Sequence, residues 1–139
     1  MFKYLKTANS DFHPAEIYSF ISPASENESG EVRCGSMVSV SFGEISQSYT
    51  GSTPMYLAIT SKKYNESKQV KCIRLTSGMI LEADVDPGMD SSSFFLGAVC
   101  DAMEDLTGKG AYLTRDGNAN FEIIDISNIS KGKVTVIVI

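Results

Sequence analysis

Few residues in this sequence have the types and spacing that catalysis needs. His13 is the only histidine among the 139 residues, and Pro14 follows it directly. A Cys–His or Ser–His–Asp site would need this histidine as its base, and no nucleophile signature accompanies it. We therefore interpret His13 as a solvated surface residue and predict that the protein is not an enzyme.

A carboxylate-based site is the remaining route to catalysis. It would need side chains such as those of Asp84, Asp86, Asp101 and Glu104 to converge, and nothing in their spacing shows that they do. The absence of a catalytic motif shifts the prediction towards a binding or structural role.

Two acidic segments have oxygen ligands of the kind that a hard cation prefers. Asp84, Asp86 and Asp90 lie in one short loop, and residues 116–120 (DGNAN) show the 1, 3, 5 spacing of a calcium loop. The second segment lacks the Gly and Glu that an EF-hand needs at its sixth and twelfth positions, so a turn explains it. For the first loop, a solvated acidic loop is favoured and weak cation binding is left open.

The cysteines give no sign of a metal or redox site. Cys34, Cys72 and Cys100 are far apart, no Cys-x-x-Cys pair occurs, and one histidine cannot complete a zinc site. We predict three buried, reduced thiols and no cofactor.

Charge and hydropathy exclude two classes of partner. The net charge of −5 argues against binding nucleic acid, which needs clustered Lys and Arg. The longest apolar run, VTVIVI at residues 134–139, is too short to cross a membrane as a helix, and no signal peptide is evident. The sequence therefore predicts neither a nucleic-acid nor a membrane partner.

Composition divides the chain into an N-terminal arm or linker, residues 1–30, and a single β-rich domain, residues 31–139. The segment SPASENESGE has almost nothing to bury and is typical of a loop. Upstream of it stand four apolar residues that could let the arm dock on a partner: Ile17, Tyr18, Phe20 and Ile21.

From residue 31 onwards the pattern is that of β-strands. Val38 and Val40 alternate with serines, and residues 55–60 alternate in the same way after a proline. Residues 71–86 (KCIRLTSGMILEADVD) repeat the alternation on both sides of Ser77-Gly78. We predict a hairpin or a sharply bent strand there, with the acidic residues on the wet side.

The segment 91–106 fits two structures. Apolar residues at helical spacing favour a helix, whereas Gly97 in its first turn disfavours one, and a short strand over 98–102 is the rival prediction. Further on, Asp116-Gly117 between two alternating runs predicts a second hairpin.

The final strand is apolar on both faces, with Val134, Val136 and Val138 on one and Ile137 and Ile139 on the other. Such a strand must lie inside a sheet or against a partner subunit. The whole pattern predicts a mainly β protein, a small antiparallel β-barrel or β-sandwich with at most one short helix and an N-terminal arm.

The order of these segments resembles that of a known family. CGSMVSVSFGEI is followed by TPMYLAITSKK, then KCIRLTSGMILEADVD, then an LGAVCDA…GAYLTRDGNANFEIIDIS block and a closing GKVTVIVI. Residues 31–139 are in this respect similar to the head decoration (capsid auxiliary) proteins of tailed bacteriophages, and the arm has no counterpart.

The resemblance implies a virion structural protein that binds and stabilises the outer surface of a phage capsid. Its partner would be the major capsid protein, and it would form homo-oligomers, often trimers, without catalysis or cofactor. The candidate contacts are then the arm residues Ile17, Tyr18, Phe20 and Ile21, and Val136 and Val138 of the final strand. The alternative is a small bacterial β-barrel module that binds a ligand or a protein partner, which predicts a cavity lined by convergent polar groups.

Overall fold

The computed structural model describes residues 1–7, 17–21, 31–41, 44–46, 56–63, 68–104 and 111–139. Within these ranges the chain is built of strands and two single-turn 3₁₀ segments, Ser91–Ser93 and Ile129–Lys131. The strands are β1 (Phe2–Thr7), β2 (Ile17–Ile21), β3 (Met37–Ser41), β4 (Glu44–Ser46), β5 (Tyr56–Ala58), β6 (Gln69–Arg74), β7 (Met79–Asp84), β8 (Val99–Glu104), β9 (Ala111–Thr114), β10 (Phe121–Asp125) and β11 (Lys133–Val138). The predicted mainly β class is confirmed.

Six strands form a curled antiparallel sheet in the order β1-β7-β11-β10-β8-β9. The curl brings the end of β9 back to β7, where Val85 and Leu113 form a parallel bridge and the Asp86 amide donates to the Leu113 carbonyl. Strand β7 also pairs with β1, along the edge opposite β11. The sheet therefore wraps most of the way around its own apolar face, as a half-barrel.

The other five strands form a second sheet in the order β2-β4-β3-β5-β6, which closes because β2 also pairs with β6. The β2–β6 pairing is antiparallel along the whole of β2, whereas β2 meets β4 at the single pair Ile21–Glu44. The predicted small barrel is thus present, antiparallel except for the parallel β2–β4 pair, and the six-stranded sheet packs against it.

Alternation along each strand builds two cores. In β7, Met79, Leu81 and Ala83 are buried while the residues between them are half-buried, as the period of two requires. The larger core joins the two sheets, since Met37, Leu57 and Ile73 of the barrel belong to the same cluster as the buried face of the six-stranded sheet. The smaller core fills the described interior of the barrel with Val32, Val38, Ala58, Val70 and Cys72.

The segment 71–86 is not a hairpin but bends sharply between two strands, which is the other structure predicted for it. It supplies β6 to the barrel and β7 to the six-stranded sheet, so the bend at Thr76–Gly78 connects the two sheets. Gly78 has a φ of 92°, which glycine adopts without strain, and its amide donates to the Val138 carbonyl of β11. The alternation predicted after Gly78 is confirmed, because Met79, Leu81, Ala83 and Val85 are all buried.

The second predicted hairpin is also wrong in its pairing. β9 and β10 do form on either side of Asp116-Gly117, but β8 lies between them and pairs with both. The connection therefore crosses over β8 instead of making a tight turn. The same strand settles the alternative left open for 91–106, because the described part of that segment contains one 3₁₀ turn and then strand β8.

Residues 1–30 contribute two strands, so the described parts of this stretch differ from the arm predicted by composition. β1 adds to β7 with Phe2 buried against Phe121, their ring centroids 5.6 Å apart, and β2 is an integral strand of the barrel. Alternation in FKYLKT is weak because the register shifts between Tyr4 and Lys6. Residues 22–30, which form all of SPASENESGE except Glu31, and His13 lie outside the described residues.

An ion cluster fixes the first strand. The Asp84 carboxylate accepts hydrogen bonds from the N-terminal amine at 2.9 Å and from Lys133 Nζ at 2.6 Å, and Lys133 Nζ lies 3.9 Å from Glu82. Burial raises the pKa of Asp84, but the hydrogen bonds and charges of Lys133 and of the amine outweigh burial, so its net pKa lies below the ordinary 3.8. Lys133 has a correspondingly raised pKa, mainly through its hydrogen bond to Asp84.

The lowered pKa of Asp84 gives an expected pH dependence. A carboxyl group whose pKa falls on folding stabilises the folded state above its unfolded pKa and loses that contribution as pH falls through the folded pKa. We expect Asp84→Asn to reduce the free energy of unfolding at neutral pH by up to about 1 kcal/mol, as partly exposed ion pairs do. Urea unfolding between neutral pH and about pH 2.5 should show the gap between wild type and variant closing below about pH 4.

The control for this measurement is Asp116→Asn, which removes a carboxylate from an exposed loop. A gap for Asp84→Asn that stayed constant down to the acid limit would show that the Asp84 ion pairs contribute nothing to stability.

Candidate interaction surface

The described residues contain no group of three or more His, Cys, Asp or Glu side chains placed to hold a metal ion. Asp84 binds Lys133 and the N-terminal amine, Asp86 accepts from the Gly88 amide, and Asp90 accepts from the Ser92 amide. Each carboxylate of the acidic loop thus has its own local partner. No helix in the described part of the chain is long and apolar enough to span a membrane.

The thiols are arranged differently from the prediction. Cys72 and Cys100 are buried, as expected, but Cys34 is exposed, and all three are free. Burial raises the pKa of Cys72 to about 12. Burial likewise raises the pKa of Cys100, although a hydrogen bond and charge from Arg115 act in the opposite direction. Both buried thiols therefore stay protonated and unreactive near neutral pH.

A small cleft lies where β7, β10 and β11 meet the turn after β10. It holds about 10 Å³, enough for one water molecule, whereas ligand pockets measure roughly 300–1,000 Å³. Its lining residues are Glu82, Asp125, Ser127, Asn128, Lys133, Val134 and Thr135. This cleft is therefore too small to hold a ligand larger than water.

The feature that stands out is an apolar outer surface centred on Val99, which we call the Val99 face. Its members are large apolar side chains that stay exposed on β8, on β10 and in the loop before β8: Phe95, Leu96, Val99 and Ile124. The Val99 side chain is 45% exposed, although its strand, β8, is paired along both edges, with β10 and with β9. A cluster of this kind on a rigid sheet is typical of a protein-binding surface.

Strand register extends the Val99 face across the sheet. Val99 is paired with Glu122 of β10, Glu122 with Ile137 of β11, and Ile137 with Ile80 of β7. Directly paired residues point to the same side of a sheet, so these four side chains form one outward row. Ile80 and Ile137 are half-buried and Glu122 is exposed, and the row ends at the exposed Lys6 of β1, which is paired with Ile80.

A cation borders the Val99 face on its other side. The Arg115 guanidinium lies 5.0 Å from the centroid of the Phe95 ring, and its Nη1 donates to the Val99 carbonyl at 2.8 Å. Arg115 follows β9, which pairs with β8 on the side opposite β10. Val99 is therefore flanked by Arg115 towards β9 and by Glu122 towards β10.

A buried carboxylate holds the loop that carries Arg115. Asp101 of β8 is only 5% exposed and accepts hydrogen bonds from its neighbour's amide, Ala102 N, at 2.8 Å, from Asn118 N at 2.9 Å and from Asn120 Nδ2 at 2.9 Å. The crossing loop 115–120 is thereby tied to the strand that it passes over.

Gly117 makes this close approach feasible. A Cβ at this position would lie 2.8 Å from Asp101 Oδ2, and φ is 107°. A side chain here would meet both backbone strain and a steric clash with the carboxylate. Gly117 is thus required by a crossover, not by the hairpin that Asp116-Gly117 suggests.

The residues predicted from sequence to contact a partner differ in their exposure. Val136 and Val138 are buried in the protein's own core, because β11 lies between β7 and β10. The prediction that the final strand lies inside a sheet is confirmed, and its valines are not available to a partner. Ile17 is 60% exposed and Tyr18 is half-buried against Tyr56. Phe20 and Ile21 belong to β2, but their side chains are outside the described set.

Sequence reasoning missed the Val99 face. The sequence leaves 91–106 open between a helix and a strand, and neither prediction identifies Phe95 or Val99 as exposed. The one available signal was the run FFLGAV, which has more adjacent apolar residues than a strand with one dry face can bury.

A scan against protein-family models and searches of curated proteins and of solved structures return no match for this chain.

Proposed function

We propose that the protein is a non-catalytic virion structural protein that binds and stabilises the outer surface of a phage capsid, with the major capsid protein as its partner. The observation that carries the structural role is the Val99 face, a rigid apolar surface that remains exposed in the single chain. The assignment to a capsid comes from the resemblance to phage head decoration proteins.

Physical considerations support a role in protein contact. Burial of apolar surface contributes about 25 cal/mol of favourable free energy per Å², so a cluster of large exposed apolar side chains favours association. The cluster is mounted on paired strands, so little conformational entropy is lost when it binds. The described residues show neither a metal cluster nor reactive buried thiols that would suggest chemistry.

A capsid surface suits such a module. Its copies repeat with fixed symmetry, so a decoration protein that associates through one surface and touches the capsid through another gains from multivalency. In this scheme the Val99 face makes the protein an oligomer, and the exposed part of β2 with Ile17 and Tyr18 is the candidate capsid contact. The protein would then reside on the virion after synthesis in the host cytoplasm.

Co-sedimentation with purified expanded capsids from the genome that encodes the protein tests this proposal. Wild type is expected to saturate at a copy number related to capsid symmetry. Val99→Asp should reduce the bound fraction strongly, because a buried unpaired carboxylate opposes the association that gives avidity. Leu5→Asp is the matched control, since Leu5 is 43% exposed but lies on β1 at the far edge of the sheet.

The outcomes separate the two parts of the proposal. Wild type that stays in the supernatant at all capsid ratios overturns the capsid role. Equal binding by wild type and Val99→Asp keeps the capsid role and removes the Val99 face from it.

A further inference from the structure

We propose that the Val99 face binds the same face of a second copy of this chain about a two-fold axis near Val99, with Glu122 of each copy against Arg115 of the other. The inference rests on the proposed function only in treating the Val99 face as protein-binding, and it requires no capsid.

The arrangement of charge favours a second copy. Glu122 and Arg115 lie on opposite sides of Val99, one towards β10 and the other towards β9. A two-fold axis through the middle of a surface exchanges its two sides. It therefore brings the Glu122 carboxylate of each copy over the Arg115 guanidinium of the other copy. The dimer then contains two equivalent Glu122–Arg115 pairs.

Neither charge is already used by an ion pair among the residues that the structure describes. Arg115 binds the Val99 carbonyl, the Phe95 ring and the Cys100 thiol, and a guanidinium with five N–H donors has further donors beyond these contacts. Glu122 lies exposed in its row between Val99 and Ile137. The Arg115 side chain is thus held in position before association, which lowers the entropic cost of pairing it, whereas Glu122 is placed by its strand backbone alone.

The apolar residues around the two charges suit the same contact. Val99 and Ile124 lie beside Glu122 on the sheet. Leu96 lies next to β10 as well, because the amide of the following residue, Gly97, donates a hydrogen bond to the Ile123 carbonyl. Burying these side chains excludes water from the cross-pairs, which strengthens each pair. Nucleic acid and anionic lipid are disfavoured as occupants, because the whole chain carries a net charge of −5.

Sedimentation equilibrium from micromolar to millimolar protein measures the association directly. Wild type is expected to show a monomer–dimer equilibrium. Glu122→Arg and Arg115→Glu should each weaken it by at least about tenfold, since each places like charges opposite one another twice. Val99→Asp should also weaken it, whereas Leu5→Asp should not.

Mixing the two charge variants gives the decisive test. A heterodimer of Glu122→Arg with Arg115→Glu has opposite charges at both cross-pairs, so the mixture should regain dimerisation to within about threefold of wild type. A structural defect in either variant would not be repaired by mixing. If Arg115→Glu fails to fold by circular dichroism, the series Glu122→Gln then Glu122→Arg should weaken association stepwise.

Three results overturn the inference: wild type that stays monomeric throughout, a mixture no more associated than its components, and a Glu122 series without effect. Failure here is distinguishable from failure of the proposed function. A monomer that co-sediments with capsids refutes the dimer alone, and a dimer that never co-sediments refutes the capsid role alone.

Discussion

Replacing Asp101 by alanine is expected to lower the free energy of unfolding by about 2–4 kcal/mol, because hydrogen bonds to a charged group contribute roughly 1.5–3 kcal/mol each and some lost bonds are replaced by water. Asp101 is buried and accepts from Ala102, Asn118 and Asn120. Its loss leaves the crossing loop without an anchor to β8. Chemical denaturation followed by circular dichroism measures the change.

Two further variants show whether the carboxylate itself is responsible. Asp101→Asn keeps the shape and one acceptor oxygen, so it should retain part of the stability. Asp116→Ala removes an exposed carboxylate from the same loop and should leave stability within experimental error. Equal stability of wild type and Asp101→Ala would show that the loop is held by other contacts.

The Asp101 network also bears on association. It fixes the loop that begins at Arg115, the residue that we place in the dimer contact. Asp101→Ala should therefore weaken dimerisation even where the variant remains folded, because Arg115 would lose orientation before binding.

Much of the fold could be predicted from local pattern. Alternation identified the faces of β7 and β11 correctly, since burial on one side of a strand imposes a period of two. The central place of β11 followed from its two apolar faces, because such a strand cannot remain at an exposed edge.

Strand pairing could not be predicted in the same way. β6 and β7 join different sheets, and β9 and β10 are separated by β8, although both pairs are linked by turn-like residues. A glycine at positive φ fits a hairpin, a bend between sheets and a crossover equally well. Only long-range contacts, such as Asp101 with Asn118, decide between these arrangements.

The Val99 face was hidden for a related reason. Residues that are apolar in sequence are interpreted as core unless the pairing of their strand is known. Val99 alternates with the buried Cys100 and therefore faces outward, which becomes evident only once the register of β8 against β10 is known. Arg115 joins the same surface through a loop whose path depends on a buried carboxylate.

Leu57→Ala is the second substitution with a large expected effect, a loss of about 3 kcal/mol in the free energy of unfolding. Leu57 is fully buried on β5 of the barrel, yet it belongs to the core that includes Leu81 and Val136 of the six-stranded sheet. A cavity there removes contacts from both sheets at once. If the two sheets unfold together, Leu57→Ala must lower the free energy of unfolding of both sheets by the same amount.

Native-state hydrogen exchange reports this directly through amides of β6 and of β11. In Leu57→Ala both strands should lose protection by the same free energy, because a shared core makes them one cooperative unit. Ile17→Ala, which truncates an exposed aliphatic side chain on the barrel, should change neither by more than about 0.5 kcal/mol. Loss confined to β6 would mean that the barrel opens independently, so the interface between the sheets would not couple their stabilities.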